Sequence, residues 1–115
     1  MMRSDIDDAI RLHNKWRRQF VNAFAGGNYA DMPLSEHRSC TFFGKLSATA
    51  ANPAGPAIDP KLLTLHQRFH DMANEIVDLS QNGLGDAADL LLPEFNEVAH
   101  QLTNGLDELR AALPA

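Results

Sequence analysis

Apolar residues recur along this chain at steps of three and four, the spacing of one face of an α-helix, and nowhere do they alternate as on a strand. Ile6, Ile10, His13, Phe20 and Phe24 form one such stripe, predicting a first helix from Ser4, as its N-cap, to about Ala25. Asp5, Asp7 and Asp8 suit its positive end, and Gly26-Gly27-Asn28 ends it. Tyr29 to Leu34 reads as a link containing Pro33, after which Ser35 and Glu36 open a short second helix carrying Cys40, Phe43 and Leu46. Ala51-Asn52-Pro53-Ala54-Gly55-Pro56 is a loop, because two prolines and a glycine defeat any regular element. Asp59 then caps a third helix with Pro60 at its first position, and Leu62, His66, Phe69, Ala73, Ile76 and Ser80 keep the period to about Gln81. Asn82-Gly83-Leu84-Gly85 interrupts the chain, and Asp86 caps a last helix in which Pro93 marks a kink or a restart. Phe95, Val98, Leu102, Leu106, Leu109 and Leu113 continue its stripe. The expectation is an all-α, antiparallel four-helix bundle with a short second helix, one domain over residues 1–115.

Composition narrows the function classes. Apolar residues make up 44% of the chain and charged residues 22%, the balance of an ordinary globular domain. No apolar run approaches the roughly 18 residues of a membrane span, so a membrane partner is not expected. The opening Met-Met-Arg-Ser-Asp-Ile-Asp-Asp lacks the basic and apolar regions of a secretory signal, which gives a cytoplasmic expectation. A net charge of -5 weighs against nucleic acid, and the cluster Lys15, Arg17 and Arg18 is too short to reverse that. The single cysteine, Cys40, excludes an internal disulfide and leaves a free thiol, an intermolecular link or a metal ligand. A reducing compartment favours the first and third.

Candidate chemistry lies in the histidines. His66 and His70 stand four apart, one turn along one helix face, and can close on one metal ion. Such a pair alone is a weak signal, since helical histidines are more often solvated or satisfied by hydrogen bonds. Position adds weight: His66 falls on the apolar stripe with Phe69, and His13 on that of the first helix, where a buried imidazole needs a hydrogen bond or a metal. Cys40 alone reads as a small buried hydrophobe, yet three imidazoles and one thiolate together make a set suited to tetrahedral zinc. His37, three residues before Cys40, is an alternative ligand, whereas His100 reads as a solvent or helix-interface residue and Trp16 as packing beside the site. An enzyme is not expected. Gln67 stands where a zinc hydrolase of the HExxH type carries its glutamate, and no convincing Glu-x-x-His pairs of a di-iron bundle are present. The rival reading is a helical dimerisation or interaction module without a functional metal.

The order His13-x-x-Trp16, 23 residues, Cys40, then Gly44-Lys45-Leu46, 19 residues, and His66-x-x-x-His70 resembles the chemoreceptor zinc-binding (CZB) domain of bacteria. The resemblance covers Ile6 to about Ala73. It implies a zinc cofactor held by His13, Cys40, His66 and His70 in a four-helix bundle, often a homodimer. It also implies sensing of zinc or of oxidants through the zinc-bound cysteine. Family members are mostly fused to chemoreceptor signalling regions or diguanylate cyclases, so a chain of 115 residues is expected to signal to such a partner in trans. The sequence departs from the family pattern in two places. Cys40-Thr41-Phe42-Phe43-Gly44 carries one residue more between cysteine and glycine, and Leu46 replaces a tryptophan. In a helix one extra residue turns all later positions by about 100°, so a displaced Cys40 or Gly44, or a strained turn, is expected there.

Overall fold

The computed structural model describes residues 2–23, 40–53 and 58–113, with the side chains of residues 21–23, 41 and 43 outside that description. Four α-helices succeed one another in order: α1 (Arg3–Ala23), α2 (Thr41–Ala51), α3 (Pro60–Gln81) and α4 (Gly85–Ala112). Among the described residues there is no strand, and no helix is long and apolar enough to cross a membrane. Phe24 and the glycine-rich end of the first helix lie outside the described residues. So do the Tyr29 to Leu34 link, Ser35, Glu36, His37 and the loop positions Ala54, Gly55 and Pro56.

Several helix ends have a local cause. α1 begins at Arg3, so Ser4 lies in its first turn instead of capping it. The reciprocal contact there comes from Asp5, whose carboxylate accepts the Met2 backbone N–H at 2.8 Å while its own N–H bonds the Met2 carbonyl. At α3 the Asp59 carboxylate accepts the Lys61 N–H at 2.9 Å, and Pro60 occupies a position that needs no donor. The other end of α3 closes on Gly83 at φ 77°. Gly83 N–H reaches Ser80 O and Leu84 N–H reaches Leu79 O, the paired bonds that spend the last carbonyls of a helix. α4 starts at Gly85 with Leu84 as its flanking residue, so Asp86 sits in the first turn and serves the helix dipole, not the cap. Pro93 neither ends nor restarts α4, which runs unbroken for 28 residues. The missing N–H costs helix stability, but the proline ring is exposed, and Leu92 and Phe95 on either side hold the helix by burial.

The direction of each helix is fixed by contacts between them. Going up α1, Arg3 reaches Leu113 O, Asp7 pairs with Arg110, and Arg17 meets Asn96, so α1 and α4 are antiparallel. Leu62 lies against Gly105 and Arg68 pairs with Glu94, which makes α3 antiparallel to α4 as well. α2 runs opposite to α1, with Lys45 on Asp5 and Phe42 beside His13. The expected stripe of α4 is buried throughout: Phe95, Val98, Leu102, Leu106, Leu109 and Leu113 all face the core. Phe69, Phe95 and Phe20 stack in sequence through its middle, with neighbouring ring centroids 5.0 Å apart.

Candidate metal centre

Three histidines and one cysteine converge inside this bundle. His13 comes from the buried face of α1, two turns beyond Ile6, while His66 and His70 come from successive turns of α3. Cys40 stands immediately before α2 with an extended backbone (φ -68°, ψ 123°). The expectation that Cys40 rides on the second helix is therefore corrected. Among the described side chains of α2, Phe42, Leu46 and Thr49 are buried, and Cys40 stands just before its start. As a flanking residue, Cys40 is not held to the helical rotation that carries Gly44. Gly44 itself is exposed, with nothing within 4 Å of where a Cβ would stand.

All four side chains are shut away from solvent: His13 is 2% exposed, Cys40 7%, and His66 and His70 0%. One donor atom from each lies within 4.8 Å of the others, so the four can hold one metal ion. His70 Nε2 is 3.3 Å from His13 Nε2 and 3.2 Å from His66 Nε2. Four ligands in a tetrahedron with metal–nitrogen bonds of about 2.0 to 2.1 Å have nitrogens about 3.4 Å apart, close to the spacing found here.

Proton bookkeeping points the same way. His13 Nδ1 is 2.7 Å from the Ala9 carbonyl oxygen, which can only accept, so Nδ1 carries the proton and Nε2 presents a lone pair. Burial pushes the His13 pKa down to about 4, against the smaller lift from that hydrogen bond, so the ring is neutral near pH 7. His70 Nε2 then faces the His13 lone pair on one side and His66 Nε2 on the other. With a proton it serves one neighbour well, and without one it opposes His13 lone pair to lone pair. A cation satisfies the three nitrogens at once.

Aromatic rings wall the cluster. Trp16 meets His13 and His70 edge-on at 5.1 and 5.2 Å, Phe69 packs on His13 and His70, and Phe42 touches His13 and His66. Trp16 is the neighbour the sequence pointed to. Phe42 was missed, since the helical register assumed for Cys40 directed attention to Phe43; the i, i+4 relation to Leu46 was the available signal. His100 is exposed on α4 beside Asn104, away from the cluster. Compared with known protein families, with curated proteins and with solved structures, the chain has no match.

Proposed function

We propose that this protein is a zinc-binding regulatory module of the CZB kind, holding one ion through His13, Cys40, His66 and His70. The observation that carries the reading is the buried convergence of four donor atoms within 4.8 Å. Three imidazoles and a thiolate favour zinc over hard oxygen-seeking cations. Bound zinc draws the thiol to its thiolate and ties the start of α2 to α1 and α3. His13 is already neutral and oriented by Ala9, and the aromatic wall excludes water.

A full set of four protein ligands leaves no open position for water or substrate, and Gln67 is exposed, pointing away from the cluster, so the module is not a catalyst. Cys40 is the control point. Oxidation of its thiolate removes one of four ligands and releases the start of α2, which couples zinc level or oxidants to the shape of the bundle. The module acts in the cytoplasm as a homodimer and passes its state in trans to a chemoreceptor-type or cyclase-type partner. The alternative, a helical interaction module without a functional metal, draws on Leu90, which is 81% exposed on α4.

Metal content of untagged protein by inductively coupled plasma mass spectrometry, with a competitive chelator titration, decides between them. About one tightly held zinc per chain supports the module as proposed. No metal, with the fold unchanged on adding excess zinc, leaves the interaction module.

A further inference from the structure

A buried cluster needs a way in. At the seam between α1 and α2 lies a cleft of about 120 Å³, lined by Asp5, Asp8, Ala9, Leu12, Phe42 and Lys45. Its rim is charged and its floor apolar. The floor is also the outer wall of the donor cluster, because the Ala9 carbonyl holds His13 Nδ1 and the Phe42 ring lies against His13 and His66. Lys45 Nζ spans the mouth to Asp5 Oδ1 at 2.8 Å, while Asp8 pairs with Arg11. The larger hollow between α3 and α4, lined by Leu62, Leu65, Gln101 and Gly105 among others, includes none of the four donors and none of the rings around them.

We propose that this cleft is the port through which the metal ion reaches and leaves the histidine cluster, with Lys45 as a plug that swings off Asp5 to open it. The inference rests on the metal-binding reading above. α1, α3 and α4 interlock along buried stripes of many residues, whereas α2 contributes eleven residues and turns Phe42, Leu46 and Thr49 inward. The α1–α2 seam is therefore the easiest to part. The Lys45 side chain is half exposed, a compact charge on a flexible stem, and an exposed ion pair is weak enough to open and close thermally. Once it opens, the Asp5 carboxylate, with Asp8 beside it, attracts a hydrated divalent cation to the mouth. Rotation of Phe42 then opens the path to His13.

The test measures zinc uptake through Trp16 emission and zinc release to a chromophoric chelator, on the full chain. In Lys45→Ala both rates rise roughly tenfold, the lower end of what charge around a binding cleft does to association, and the equilibrium affinity stays the same. Leu12→Phe, which fills the cleft, slows both rates by a similar factor, again without a change in affinity. Arg110→Ala, which breaks the ion pair at the α1–α4 seam, leaves both rates as they are. If Lys45→Ala and Leu12→Phe bind one ion per chain with unaltered rates, or change affinity through release alone, the port is wrong and the metal site stands. A chain that takes up no zinc overturns the metal site and the port together.

Discussion

His13 gives its Nδ1 proton to the carbonyl oxygen of Ala9, one turn earlier on α1, and thereby turns an Nε2 lone pair toward His70 at 3.3 Å. A backbone acceptor inside a helix cannot rotate away, so this ring is oriented before any ion arrives. Removing an orienting partner of a metal ligand typically costs about 10 to 100-fold in affinity, and removing the ligand costs more. We predict that His13→Ala lowers zinc affinity by more than about a hundredfold. Chelator competition would read this, and a loss below tenfold would show that His13 is packing and not a ligand.

The same burial predicts a pH effect in metal-free protein. The folded-state pKa of His13 is lowered to about 4 from an ordinary value of 6.5, so the unfolded chain binds the extra proton first. Stability is complete above pH 6.5 and falls as pH drops from there toward 4. The loss reaches about 3.5 kcal/mol at most, at about 1.4 kcal/mol for each pH unit between the two values. Urea unfolding with chelator present, at steps from pH 7 to 4.5, should show the fall in the wild type and a flatter profile in His13→Asn.

Cys40 and the α3 pair should separate in a titration. Cys40→Ala keeps three imidazoles and should bind zinc more weakly, while His66→Ala with His70→Ala leaves two donors and should bind none detectably. A Cys40→Ala chain with unchanged affinity would end the redox mechanism. Residual tight binding in the double histidine variant would point to another donor set.

Trp16, the chain's one tryptophan, has its ring edge-on to both His13 and His70. Its emission should change on zinc addition and stop changing at one ion per chain. In Trp16→Phe the signal should vanish while chelator competition still finds the ion.

Phe95 is fully buried between Phe20 and Phe69, at the junction of α1, α3 and α4. Phe95→Ala should cost about 3 to 5 kcal/mol of folding stability, the usual range for emptying such a site, with a matching drop in the urea midpoint. A loss under about 1 kcal/mol would mean that the three-helix core collapses to fill the space.

The three-and-four spacing of apolar residues was enough to place the bodies of all four helices and the buried stripe of α4, because burial on one face of a helix imposes its period on the sequence. Asp59-Pro60 and Gly83 marked two helix ends for equally local reasons: one side-chain acceptor, and one backbone conformation that glycine tolerates. His66 and His70 were legible as a pair because four residues make one turn. Other features depend on contacts between distant segments, which no local pattern records. Pro93 reads as a break, yet α4 continues through it because Leu92 and Phe95 are held by helices elsewhere in the chain. Cys40 reads as a helical residue, but it precedes α2, and only packing brings its sulfur to imidazoles from α1 and α3. Phe42 beside His13 and the Lys45–Asp5 bridge over the cleft are likewise products of α2 lying against α1. Local sequence thus determined the helices and nominated the donors, while their assembly into one buried, oriented cluster was decided by tertiary packing, since a site shared by three segments exists only once all three are in place.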